Sequence, residues 1–108
     1  MEAMAVPLKP GKADAWKAWT DELKDPRKAD FEGMNARNGV TTHAAWLQEA
    51  PDGTQLVVVV LDGPGAATFM QNLATSDHEF DVWFRSGGED VHPMDFSGPL
   101  PPAPERRL

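Results

Sequence analysis

The first residues of the chain alternate between larger apolar side chains and smaller ones. Met4, Val6 and Leu8 are each separated by one residue, and this period of two predicts a strand over residues 2–8. Lys-Pro-Gly then interrupts the pattern. The sequence therefore predicts that a strand opens the fold.

Two helical segments follow this strand. The first opens near Pro10 and carries apolar residues at helical spacing among charged ones. The second begins at Pro26, which suits the first position of a helix, and runs to Asn38. Gly39 is expected to end it, because glycine accepts the left-handed conformation that often closes a helix.

A β-hairpin is predicted next. Residues 40–49 are rich in β-branched side chains at their start, and residues 54–63 contain the run LVVVVL. Between them, Pro51 presets φ for a turn and Gly53 accepts a positive φ. The two segments are therefore expected to pair as antiparallel strands.

The last third of the chain predicts a short helix, a longer helix and a final strand. Phe69 and Leu73 belong to the short helix, and Ser76 with Glu79 has the spacing of a capping box for the longer one. Gly87 and the glycine after it are expected to stop that helix. Residues 91–96, VHPMDF, are predicted to form the last strand, at an edge or a bulge because they contain a proline.

The predicted order is β-α-β-β-α-β, a ferredoxin-like arrangement in the α+β class. It implies a four-stranded antiparallel sheet with the helices on one face. Residues 1–97 form one domain in this interpretation. Residues 98–108 form a Pro-rich C-terminal arm that has no means of regular pairing.

The run LVVVVL, residues 56–61, predicts that both faces of the sheet are covered. If one face were exposed to solvent, alternate side chains of the run would each lose roughly 1.5–3 kcal/mol of favourable free energy from burial. The helices can cover one face only. A second copy of the chain is expected on the other, giving a homodimer with facing sheets. The alternative is that the C-terminal arm covers this strand.

Composition and charge exclude several classes of function. The 108 residues have a net charge of −7, which disfavours a nucleic-acid partner. There is no cysteine, so disulfides, thiolate nucleophiles and cysteine-bound metals are excluded. No apolar run is long enough to cross a membrane, and the N-terminus lacks the features of a signal peptide. A cytoplasmic location is the default expectation.

The order of elements, the opening LKPGKADAWKAW, the apolar third strand and the aromatic DVWF resemble the dimeric α+β barrel superfamily. That group includes antibiotic-biosynthesis monooxygenase-like domains, stress-responsive barrel proteins and many members of unknown function. The resemblance covers residues 2–97. It implies a pocket for a small aromatic or otherwise apolar molecule, between facing sheets or between sheet and helices, and action without metal or prosthetic group.

Haem is not predicted as a cofactor. The haem-degrading members of the superfamily use an asparagine on the first strand, with a tryptophan and a histidine on the helix. Here the first strand has no asparagine, and Trp83 follows His78 instead of preceding it. No pair of histidines or acids has the spacing of a helical metal site, so no metal is predicted either.

Four residues are candidates for a site. His43, in the middle of a strand, is the candidate catalytic residue, as a group that could handle a proton. Trp46, His78 and Trp83 are candidates for a ligand pocket. Each also has a structural interpretation: His43 as a hydrogen-bonded core histidine, His78 as a solvated residue at a helix start, and Trp83 as part of an apolar helix stripe.

Two main classes of function stay open, and a haem or metal protein ranks third. The first is a small protein that binds or transforms an apolar or aromatic molecule without metal or prosthetic group, as monooxygenase-like members of the superfamily do. The second is a non-catalytic dimeric module with a structural or regulatory role. The sequence does not decide whether the chain is an enzyme.

Overall fold

The computed structural model describes residues 1–100 and 102–108. These residues contain three strands and four α-helices, and one turn of 3-10 helix, Ala66–Thr68, precedes the third α-helix. In chain order the elements are β1 (Glu2–Pro7), α1 (Ala13–Lys24), α2 (Lys28–Arg37), β2 (Thr42–Glu49), β3 (Gln55–Asp62), α3 (Phe69–Thr75) and α4 (Glu79–Val91).

The sheet has three strands in the order β1-β3-β2, and both pairings are antiparallel. The β2–β3 hairpin forms as predicted. Gly53 adopts a φ of 87°, and Asp52 Oδ1 accepts a hydrogen bond from the Thr54 amide at 2.9 Å. Because β1 and β2 both pair with β3, they run parallel to each other, and α1 and α2 form the connection between them.

The prediction of a four-stranded ferredoxin-like sheet is wrong. Residues 91–96 do not form a strand: α4 runs on to Val91, and the His92 amide still donates to the Gly88 carbonyl at 2.9 Å. The residues after it turn back on themselves, with Met94 donating to the His92 carbonyl. Pro93 also lacks the amide that a strand beside β1 would need.

Gly87 and Gly88 lie inside α4 instead of ending it. A Cβ at Gly87 would overlap the indole of Trp19, so this glycine allows α1 and α4 to approach closely. A Cβ at Gly88 would meet only the ring of Phe96, at an ordinary contact distance of 3.9 Å. The first glycine therefore serves helix packing, and the pair does not act as a stop signal.

The register of the strands gives the sheet two different faces. The inner face carries His43, Ala45 and Leu47 of β2, which lie opposite Leu61, Val59 and Val57 of β3. The buried clusters between sheet and helices contain these inner residues of β3 and none of Leu56, Val58 and Val60, which point the other way. Within the described residues, the helices thus cover the inner face of the sheet.

The C-terminal arm lies beside β1, which is an edge strand. Leu100, Pro102 and Pro104 line a recess of about 340 Å³ together with residues of β1 and α3. The outer residues of β3 are not part of that recess. The described arm residues in this recess therefore lie at the β1 edge of the sheet, and the recess does not extend over the apolar run of β3.

None of the helices in the described residues is long and apolar enough to cross a lipid bilayer. The prediction of a cytoplasmic location stays a prediction.

Candidate functional site

A cavity of about 470 Å³ lies between the inner face of the sheet and the helices. This volume is within the range of small-molecule sites, which is about 300–1,000 Å³. All three strands and all four α-helices contribute to its wall, which is mainly apolar. Wall residues on the strands include Met4, Val6, Val57, Val59 and Leu61, and those on the helices include Trp16, Leu23, Phe69 and Phe84.

The exposed members of the wall show where the cavity opens. Lys17, Asp21 and Lys24 lie on one side of α1, and Ala45 is exposed although it points to the inner face of β2. The mouth therefore lies between α1 and β2. Charged side chains of α1 line one side of the entrance, whereas the deeper wall is mainly apolar and aromatic.

His43 is the one predicted site residue that lines this cavity. The rings of Phe31, Phe69 and Phe84 surround its imidazole, with centroids 4.9, 5.3 and 6.0 Å away. Its Nδ1 lies 2.9 Å from Oδ1 of Asn35 in the last turn of α2. The same asparagine accepts the Val40 amide through its backbone carbonyl, which ties the end of α2 to the start of β2.

Burial among these rings lowers the pKa of His43 from 6.5 to about 4. The imidazole is therefore neutral at pH 7. A neutral imidazole carries one N–H and one lone pair, so His43 can donate one hydrogen bond and accept another.

His92 also lines the cavity, and sequence reasoning did not select it as a site residue. It follows the last turn of α4 in an extended conformation, as expected for a residue before proline. Its Nδ1 lies 2.9 Å from the carbonyl oxygen of Pro7 at the end of β1. Burial lowers its pKa as well, so this second imidazole is favoured in the neutral form.

The other three candidates do not line the cavity. Trp46 is on the outer face of the sheet with 56% of its surface exposed. His78 is exposed at the start of α4, where its Nδ1 accepts the Phe80 amide at 3.2 Å. Trp83 is half-buried against Trp19. The cavity wall includes none of the three.

His78 is the N-cap of α4, which corrects the predicted Ser76–Glu79 capping box. Ser76 instead accepts the His78 amide through Oγ and donates to Asp81 at 2.7 Å. Glu79 is the first residue of the helix. The cap is therefore two residues further along the chain than predicted, and an imidazole nitrogen supplies it.

An ion pair with a buried carboxylate links α2 to α4. Asp81 has a side chain only 3% exposed and accepts two hydrogen bonds from the guanidinium of Arg37, each 2.9 Å long. These bonds hold the pKa of Asp81 below its usual value. Arg85, four residues after Asp81 on the same helix, donates instead to the carbonyls of Leu73, Ala74 and Ser76 at the end of α3.

The described residues contain no group of three or more histidines, aspartates or glutamates placed to hold a metal ion. Within the wall, His43 and His92 lie near opposite ends of β3: His43 is opposite Leu61, and Pro7, which His92 contacts, is opposite Leu56. At about 3.3 Å per residue, these five positions along β3 span roughly 16 Å, so the two histidines line opposite ends of the cavity.

Sequence reasoning found His43 and missed the residues that make its surroundings. Asn35 lies eight positions earlier on a helix, and only the fold of the α2–β2 connection brings its amide to the imidazole. Phe31 and Phe69 belong to helices on either side of β2 in the chain. Their helical spacing marks them as core residues, and periodicity alone does not separate a core residue from a cavity wall.

Comparison with known proteins found no matching family model, no matching curated protein and no matching solved structure. The resemblance to the dimeric α+β barrel superfamily therefore stays a prediction. The fourth strand that it implied is also missing from the sheet.

Proposed function

We propose that this chain binds a small apolar or aromatic molecule in the cavity between its sheet and its helices. The main support for this proposal is the cavity itself, which has a volume of about 470 Å³ in a chain of only 108 residues. In a protein this small, core side chains would ordinarily fill such a volume, because protein interiors are packed to nearly crystalline density. An aromatic wall, two imidazoles favoured in the neutral form and an open entrance support a ligand site.

The properties of His43 favour ligand binding over proton abstraction. A general base acts best when its pKa lies near the working pH. A pKa of about 4 makes His43 a weak base at pH 7, although its lone pair still accepts a hydrogen bond. The resemblance to the dimeric α+β barrel superfamily implies a monooxygenase-like activity. That activity remains a proposal, and it would need an oxidisable ligand in this cavity.

Ala45 and Ala44 provide a matched test of the site, because they are neighbours on opposite faces of β2. Ala45→Phe places a ring in the mouth of the cavity. We expect it to weaken the binding of methoxynaphthalene at least about 10-fold, a loss of roughly 1.4 kcal/mol. Ala44→Phe adds the same ring to the outer face, and we expect it to leave the affinity within about 2-fold. Isothermal titration calorimetry measures both.

Equal loss of affinity in the two variants would place the binding site elsewhere or show a general effect on folding. A lack of binding to the wild-type chain across a panel of apolar aromatic molecules would contradict the proposed function. Circular dichroism of both variants provides the control for folding.

We also propose that the outer face of the sheet pairs with a second copy of the chain. Ala5, Val58 and Trp46 form one row across this face, and no charged side chain lies within the row. Two copies can therefore face each other without repulsion at the centre, although each carries a charge of −7. Homodimers form through such self-complementary apolar patches. This surface also suits the second class of function, a dimeric structural module.

Val58→Lys tests the dimer by placing a charge at the centre of this face. We expect the wild-type chain to elute as a dimer at micromolar concentration in size-exclusion chromatography with light scattering. The variant is expected to be a folded monomer, because burying an unpaired ammonium group is costly. Thr54→Lys in the exposed hairpin turn adds the same charge and should stay dimeric. A monomeric wild-type chain would contradict the proposal.

A further inference from the structure

Away from the charged mouth, the ionisable side chains of the wall are the imidazoles of His43 and His92. Trp19 also lines the cavity, but its Nε1 is fully enclosed without a hydrogen-bond partner, at the position where α1 packs against Gly87. This N–H is therefore out of reach of a bound molecule. The accessible chemistry depends on which nitrogen of each imidazole carries the proton.

Asn35 determines the proton position on His43. The amide oxygen of Asn35 faces Nδ1 at 2.9 Å, and an amide oxygen can only accept a hydrogen bond. Nδ1 must therefore carry the proton. A neutral imidazole has only one, so Nε2 of His43 keeps its lone pair. Within the described residues Nε2 makes no hydrogen bond and is not fully enclosed, and His43 lines the cavity, so this lone pair is left for a bound molecule.

His92 repeats this arrangement at the other end of the cavity. Its Nδ1 faces the carbonyl oxygen of Pro7, which is also an acceptor only. The lone pair is again on Nε2, which is neither hydrogen-bonded to a described residue nor enclosed. Two independent oxygen atoms therefore fix the same tautomer on both histidines.

We propose that the cavity selects neutral, largely apolar molecules that carry an O–H or N–H donor, and that Nε2 of His43 accepts this hydrogen bond. The inference rests on the proposed function and adds a ligand class to it: phenols and related ring compounds with a donor, in preference to their ethers or hydrocarbons. A wall with apolar rings and buried acceptors discriminates against molecules without a donor, because binding them leaves the acceptor desolvated and unpaired. Asn35 is a positioning residue in this account.

Naphthol and methoxynaphthalene of the same substitution pattern are the matched ligands for the test. They share the ring system, but only naphthol can donate a hydrogen bond. Calorimetry with the full chain is expected to show naphthol binding about 5- to 10-fold more tightly, as one hydrogen bond to a buried acceptor allows. In His43→Phe the ring remains and the acceptor is lost. We expect this preference to fall below about 2-fold while methoxynaphthalene still binds.

The outcomes separate this inference from the proposed function. If the wild-type chain binds both compounds equally, the donor preference is overturned and the cavity still stands as a binding site. If it binds neither, the inference and the proposed function are both overturned. If naphthol is preferred equally by the wild-type chain and by His43→Phe, a different acceptor is responsible, and the assignment to His43 is overturned.

The role of Asn35 has a spectroscopic readout that does not depend on a ligand. Long-range proton–nitrogen correlation spectra of the folded chain identify which imidazole nitrogen is protonated. We expect Nδ1–H for His43 in the wild-type chain, loss of this tautomer preference in Asn35→Leu, and its retention in Asn35→Asp, whose carboxylate accepts the same hydrogen bond. A proton on Nε2 of wild-type His43 would overturn the inference.

Discussion

Replacing Arg37 with methionine is expected to lower the free energy of unfolding by about 3 kcal/mol, because the carboxylate of Asp81 would stay buried without its cation. The side chain of Asp81 is 3% exposed, and two of its three hydrogen bonds come from Arg37. The side chain of Arg37 is 39% exposed, so the expected loss is at the lower end of the range for breaking a buried pair. Urea unfolding at pH 7 measures it.

Lys28→Met on the same helix is the matched control. Lys28 pairs with Glu32 at 3.8 Å, and both side chains are largely exposed, so the same substitution should change stability by less than about 1 kcal/mol. A double substitution, Arg37→Met with Asp81→Asn, should recover part of the loss by removing the unpaired charge. If Arg37→Met costs no more than Lys28→Met, the ion pair does not hold α2 to α4.

Acidification is expected to destabilise the fold by about 2 kcal/mol between pH 7 and pH 4.5, because His43 is buried in its neutral form. Its pKa is lowered to about 4 in the folded chain from 6.5 when exposed. Between these values the unfolded chain binds the proton more readily, so stability falls as the pH falls. The contribution is fully present above pH 6.5 and is lost by about pH 4. The lowered pKa of His92 acts in the same direction.

His43→Phe should reduce this pH dependence, since phenylalanine keeps an aromatic ring in the same place and cannot titrate. The lowered pKa of Asp81 does not confuse the comparison, because a carboxylate with a lowered pKa loses its contribution only below its usual value of 3.8. Thermal unfolding of both chains at several pH values gives the difference. If stability changes with pH in the same way in the wild-type chain and in His43→Phe, His43 titrates as an exposed histidine and the prediction is wrong.

Local sequence patterns correctly predicted the turns and helix ends that depend on a few neighbouring residues. The hairpin follows from Pro51 and Gly53, which form the predicted turn, and the end of α2 follows from Gly39 at a φ of 67°. His43 and Trp46 are three residues apart on β2, so the alternation of a strand puts them on opposite faces of the sheet. Each of these features depends on backbone conformation, which local sequence determines strongly.

The features that sequence reasoning missed depend on partners that are distant in the chain. Gly87 reads as a helix stop, but its missing Cβ makes room for Trp19 on another helix. Arg85 lies four residues after Asp81, a spacing that favours an ion pair on a helix. Arg85 instead donates to the carbonyls at the end of α3, and Asp81 pairs with Arg37. Likewise, Asn35 and His43 become neighbours only after α2 folds onto β2. Tertiary packing determines these contacts, and the spacing of residues along the sequence does not reveal it.

The most direct test of the proposed cavity uses the valines of β3, which alternate between the two faces of the sheet. Val57 and Val59 point to the cavity, whereas Val58 and Val60 point to the outer face. Isotope-filtered NMR of the chain with methoxynaphthalene should give intermolecular contacts to the methyl groups of Val57 and Val59. Contacts to Val58 and Val60 in their place would show that the molecule binds the outer face of the sheet and would contradict the account.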